Sequence, residues 1–219
     1  MIRRPRLLVT AAVGATAALL LTACGGGGNG GSKGNDKIAG ADTGSETPAS
    51  PSASASAAAE RPKIELPSDV TDKYENWKTG DDAKDAILAD TAGRIDATND
   101  AILRGDTGAP GLSFYYRDKA LNGAVEWVQA YVDANLSFTG TTRYYAPQVT
   151  LSGEKSAAVV YCADESKGFN KNRKTNKADK TPSGESPYVL YNTRVEKNKQ
   201  GVWQATNLIS KRGDKTCAA

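Results

Sequence analysis

Hydrophobic positions are spread unevenly along the chain. From Leu7 to Leu21 no residue is charged, and from 25 to 62 Gly, Ala, Ser and Pro occupy 26 of 38 positions with Ile38 as the only large apolar residue. All three tryptophans, nine tyrosines and three phenylalanines lie in the 157 residues from Lys63 onward. The middle stretch has too little apolar surface to bury a core. The pattern therefore predicts one folded domain over 63–219 behind a flexible linker over 24–62.

Within that domain the apolar spacing changes from helical to alternating. Val70, Tyr74 and Trp77 fall at i, i+4, i+7, which predicts a short helix capped by Ser68 or Asp69. Leu88, Ala92, Ile95, Asn99 and Ile102 predict a second helix over about 81–104 that ends at Gly105. Leu121, Val125, Val128 and Val132, widened by Trp127 and Tyr131, predict a third. Residues 144–151 and 157–163 read as strands around the turn Ser152-Gly153-Glu154-Lys155, and 188–196 and 202–210 as strands around Asn198-Lys199-Gln200-Gly201. In 188–196, Val189, Tyr191, Thr193 and Val195 alternate with polar neighbours, the mark of a half-buried antiparallel sheet. Helices followed by strands predict an α+β class: three helices packed on a sheet of about four strands.

Charge adds little. The chain holds 28 basic and 25 acidic residues, and without Arg3, Arg4 and Arg6 the balance is formally neutral, so a nucleic-acid partner gains no support. Those arginines precede the apolar run as in a signal peptide. Fifteen helical residues rise about 22 Å, short of the roughly 30 Å hydrocarbon core, which disfavours a permanent transmembrane helix.

Leu21-Thr22-Ala23-Cys24 resembles the lipobox of bacterial lipoproteins. The resemblance implies a signal peptide over 1–23, cleavage between Ala23 and Cys24, and a diacylglyceryl group on the Cys24 sulfur, with fatty acyl chains such as palmitate. It places the protein on the extracytoplasmic face of the cell membrane, with the lipid bilayer as its first partner; two acyl chains suffice for stable attachment. The competing reading is an ordinary secretory signal with a chance cysteine. The linker would hold the domain on the order of 30 to 40 Å from the lipid surface.

The three helices, the Gly105-Asp106 end of the second and the final hairpin with Gly201-Val202-Trp203 resemble the nuclear-transport-factor-2-like fold, over about 69–217. That resemblance implies a curved antiparallel sheet closed into a cone by the helices, with a cavity that some members use for catalysis and many for binding. Trp127, Tyr131 and Tyr161 become the candidate pocket residues, for a small apolar ligand or an envelope protein. Members of the fold often pair through the outer sheet face, which leaves a homodimer open.

Cys162 and Cys217 are the remaining cysteines. Export makes their pairing the expected state, with two buried free thiols as the alternative.

The chain has no histidine, which excludes Ser-His and Cys-His nucleophile activation and imidazole metal sites. No catalytic residue, metal or cofactor is assigned. Tyr131, Asp133, Tyr161 and Asp96 are the residue types left for acid–base chemistry, weighed against tyrosines in the core and aspartates in water. S-x-x-K at Ser152–Lys155 and K-T-G at Lys78–Gly80 occur in the wrong order for penicillin-interacting enzymes and are read as chance.

An excursion over 165–187 carries Lys167, Lys171, Arg173, Lys174, Lys177 and Lys180 against Glu165, Asp179 and Glu185. It reads either as a solvated mobile loop or as a contact with anionic lipid or wall polymer, with Lys171, Arg173, Lys174 and Lys177 as the contact residues. The function expected overall is a ligand-binding or protein-binding scaffold at the cell envelope. An isomerase- or cyclase-like enzyme that uses a cavity carboxylate or tyrosine is the alternative, and attachment to anionic wall polymer a further one.

Overall fold

The computed structural model describes residues 59–181 and 184–218. Ala23, Cys24 and the linker up to residue 58 lie outside the described residues. The elements run β1 (Val70–Tyr74), α1 (Asp82–Arg104), α2 (Pro110–Tyr115), α3 (Asp118–Asp133), β2 (Leu136–Leu151), β3 (Ser156–Asn172), β4 (Ala178–Asp179), β5 (Tyr188–Lys197) and β6 (Trp203–Arg212). The α+β class stands, with three helices against one open sheet. Two of the helices, α1 and α3, are those that periodicity gives, and the third is not.

The expected first helix is a strand. Val70 is buried, Thr71 and Lys73 are exposed, and Asp72 and Tyr74 are half-buried, an alternation of period two. Positions i and i+4 share a side in a strand as well as a helix, so the Val70–Tyr74 spacing fits both. Pairing decides it: β1 runs parallel to β2 with Val70 opposite Gly140 and Tyr74 opposite Tyr144. Trp77 reaches the core from the turn that follows, past Asn76 at a φ of 60°.

The second expected helix is α1, in the expected place. Asp81 caps it by accepting from the Ala83 and Lys84 amides at 3.0 and 3.1 Å. Gly105 ends it in the left-handed region at φ 69°, where its amide and that of Asp106 take up the Ile102 and Ala101 carbonyls. α2 is too short to show a period, and Pro110 at its start is its one sequence signal.

The sheet has six strands rather than about four, in the order β1-β2-β3-β5-β6, with β4 paired to β3; every pairing but β1–β2 is antiparallel. β3 continues to Asn172, paired to β2 from Leu136 onward, so the first third of the basic excursion is sheet rather than loop. β2 is bent by bulges between Thr141 and Arg143 and between Tyr145 and Gln148. At Gly140, with φ 102°, a Cβ would stand 2.1 Å from the Lys167 carbonyl oxygen, which belongs to backbone and cannot turn aside. Gly140→Ala is expected to lower stability by about 3 kcal/mol, read as a lower urea midpoint; an unchanged midpoint would show that the bend tolerates a side chain.

The apolar side chains form two clusters that share α1. One joins Ala97, Ala101 and Ile102 to α2, α3, Phe138 and Val202; the other joins Ile87, Leu88 and Ile95 to Trp77, Tyr144, Val159, Tyr161 and Trp203. Asp90, fully buried, accepts a two-pronged contact from Arg61 at 2.6 and 3.0 Å and the Trp203 amide at 2.9 Å, which ties the segment before β1 to the sheet.

Candidate functional site

The inner face of the sheet opposite α1 carries a run of aromatic rings. Tyr74 from β1 stacks on Tyr144 from β2 at 5.2 Å, and Tyr161 from β3 stacks on Tyr191 from β5 at 5.0 Å. Trp77 stands edge-on to both Tyr74 and Tyr161, at 4.9 and 5.4 Å, and donates to the Tyr144 carbonyl at 3.2 Å. These spacings are those of packed aromatic pairs. Side chains therefore fill the centre of this face.

Two polar groups are set into that aromatic layer. Arg94 of α1 is 3% exposed and donates to the hydroxyls of Tyr116 and Tyr161 at 2.8 and 2.7 Å. The Tyr116 hydroxyl also meets Thr98 at 2.8 Å, and its ring lies 5.3 Å under the guanidinium. Among the described residues Arg94 Nε has no hydrogen-bond partner and no ion pair reaches the side chain. Burial works against the Arg94 charge, and the two phenol oxygens outweigh it.

The second group lies where β1 meets α1. Asn99 donates to Asp72 Oδ2 at 2.6 Å, and Tyr74 donates to Asp96 Oδ1 at 2.6 Å and to the Ala92 carbonyl at 3.2 Å. Burial pushes the Asp72 carboxyl up to about 7, and the neighbouring Asp96 adds to the shift against the Asn99 hydrogen bond. Asp96 is raised too, again chiefly by burial. Burial also lifts the Tyr74 and Tyr144 hydroxyls well above the ordinary phenol range. This is an acid–base pair in chemical type, roofed by tyrosines.

Of the residues singled out in the sequence, Tyr161 sits in the aromatic layer and Asp96 in the carboxyl pair. Tyr131 and Trp127 pack edge-on at 5.1 Å in the other cluster, so the structure does not bring Trp127, Tyr131 and Tyr161 to one place. Asp133 is exposed at the end of α3 and accepts from Gln129 at 2.7 Å. Asp72, Tyr74, Arg94, Asn99 and Tyr144 were not legible as site residues. The half-polar stripe of α1, with Asp96 and Asn99 three apart, was the available signal.

The basic stretch divides. Lys171 pairs with Asp69 at 2.7 Å, and Arg173 donates to the Leu103 carbonyl at 3.0 Å and to that of Ile102, so it closes the C-terminal end of α1. Lys174 and Lys177 are exposed. On the far side, Cys162 and Cys217 are joined in a disulfide, and Tyr145 donates to the Cys217 carbonyl. A surface cleft of about 410 Å³ lies between α2 and α3, lined by Ala109, Leu112, Leu121, Val125 and Glu126 among others.

No protein-family model matches the sequence, and no curated protein matches it. Among solved structures, the chain is similar to a ketosteroid isomerase-like protein from Erwinia carotovora atroseptica, at 18% identity over 59% of this chain and 95% of that one, with a TM-score of 0.41. It is also similar to a putative aromatic ring hydroxylase from Novosphingobium aromaticivorans, at 18% identity over 59% and 90% of the two chains, TM-score 0.40. A third is the intermembrane space region of the chloroplast protein ARC6, at 13% identity over 60% and 96%, TM-score 0.36.

Proposed function

We propose that the protein is a lipoprotein anchored through Cys24 on the extracytoplasmic face of the cell membrane, and that its domain is a binding or scaffold module that engages another envelope component by its surface. The observation that carries the second half is the aromatic layer of Tyr74, Trp77, Tyr144, Tyr161 and Tyr191, whose rings pack on one another on the inner face of the sheet. The first half rests on the Leu21–Cys24 motif behind three arginines and an uncharged run.

An acid–base enzyme is the second reading, and the Asp72–Asp96 pair favours it. Its substrate would have to displace Tyr74 and Tyr144 from their stack. Attachment through the basic stretch is weaker, because Lys171 and Arg173 already hold internal partners.

Mass spectrometry of the mature protein, extracted from host membranes in mild detergent, tests both halves. The expected N-terminal residue is Cys24 with its acyl chains, absent in Cys24→Ala, and the expected native mass shows no retained small molecule. A mature terminus elsewhere would overturn the anchor. A stoichiometric small ligand would overturn the surface reading, and the same spectrum reports whether the protein is a dimer.

A further inference from the structure

β1 is an edge strand of five residues whose sheet pairing is to β2 alone. Its flanks are pinned to the sheet at Asp69, by Thr139 and Lys171, and at Glu75, by Arg143, while Tyr74 and Asp72 hold the strand itself on α1. Asp72 and Tyr74 lie two apart on β1, Asp96 and Asn99 three apart on α1, and the Asn99–Asp72 and Tyr74–Asp96 hydrogen bonds, both 2.6 Å, bring the two carboxyl groups to the same crossing. Asp72 Oδ1 is shut off from solvent and has no donor among the described residues. Two ionised carboxylates cannot supply one another with a hydrogen bond, whereas a carboxyl that keeps its proton is a donor.

We propose that one proton shared by Asp72 and Asp96 is the clasp that holds β1 on α1, and that its loss loosens β1 together with Tyr74. This stands apart from the docking reading and holds whether or not the domain has a partner.

The surroundings offer the pair no substitute for that proton. From β1 it is faced by Tyr74, from α1 by Asn99, from β2 by Tyr144 and from α2 by Tyr115, all neutral. No ion pair among the described residues includes Asp72 or Asp96. Arg94, the nearby cation on the same helix, is committed to Tyr116 and Tyr161.

The direction of the effect follows from linkage. With β1 docked, the Asp72 carboxyl holds its proton up to about pH 7; with β1 free, it returns to the ordinary carboxylate range near 4. The docked state therefore binds the extra proton between those limits. The contribution of the clasp is complete below about pH 4, falls as pH rises toward 7, and is gone above. Release lifts Tyr74 off Tyr144 and frees the β2 edge over Gly140–Tyr144.

Hydrogen exchange on the full lipidated chain in detergent, followed peptide by peptide and corrected for the intrinsic rate at each pH, reads this directly. The β1 peptide covering 70–76 is expected to open about tenfold more per pH unit from pH 5 to 7 and to level off above, while the β5–β6 peptides do not follow. Asp72→Asn keeps a carbonyl for Asn99 and gives Asp96 a permanent N–H donor, so it should flatten the profile and leave β1 protected at pH 7. Asp96→Asn should do the same from the other side. A flat profile in the natural protein, a slope that survives in both variants, or a slope shared equally with β5–β6 would each overturn the clasp.

Discussion

Replacement of both Cys162 and Cys217 by alanine is expected to lower the unfolding free energy by about 4 kcal/mol, the chain-entropy value for a loop of 55 residues. The two half-cystines are 2% and 1% exposed, so the bridge is part of the packing as well as a tether. Cys162 lies in β3 next to Tyr161 and so points to the opposite face of the sheet. There the bond brings Cys217 and the segment after β6 back over β3, and the Tyr145 hydroxyl donates to the Cys217 carbonyl. Without the bridge, that donor and the segment it holds return to water. Urea unfolding with and without reductant measures the loss in the natural protein, and the double variant should unfold at the reduced protein's midpoint. Equal midpoints for oxidised and reduced protein would mean that the packing holds the segment unaided.

Arg94→Ala should be of the same size, about 4 kcal/mol, because it truncates a long buried side chain and strands the hydroxyls it serves. The replacement matters more than the removal. Arg94→Met refills most of the volume and deletes a desolvated charge that has no carboxylate partner, and exchange of buried charges for apolar groups of like size is often neutral or stabilising. It still leaves the Tyr161 hydroxyl without its donor, whereas Tyr116 keeps Thr98. Arg94→Met is therefore expected to lose no more than about half of what Arg94→Ala loses. Thermal or urea unfolding of the pair decides it: equal losses would mean that the charge itself, rather than the space it fills, holds the two apolar clusters together.

The elements that were legible from sequence are those whose signal is local and long. α1 shows its stripe from Leu88 to Ile102 between Asp81 and Gly105, and the β5–β6 hairpin shows its alternation around Asn198–Gly201. The disulfide was legible because an expected export, read from the first 24 residues, and two remaining cysteines leave one pairing. β1 was misread because a four-residue spacing suits both periods over so short a span, and the pairing that decides it comes from β2. β3 was read too short because residues 164–172 are mostly polar and show no alternation, although they complete the pairing with the first half of β2. The Asp72–Asp96 pair escaped for a related reason. Neither residue sits in a motif, and only the crossing of β1 over α1 brings them together.

The parallel pairing of β1 with β2 has a consequence for the order of assembly. Val70 meets Gly140 across 70 positions of chain that contain all three helices, whereas β2–β3 and β5–β6 close through short turns. Short loops close at low entropic expense, and contacts distant along the chain slow the route to the native state. The two hairpins and α1 can therefore take shape early, while β1 can add to β2 only after the intervening helices have packed. The strand that joins last in folding is then the one whose departure disturbs the rest of the molecule least.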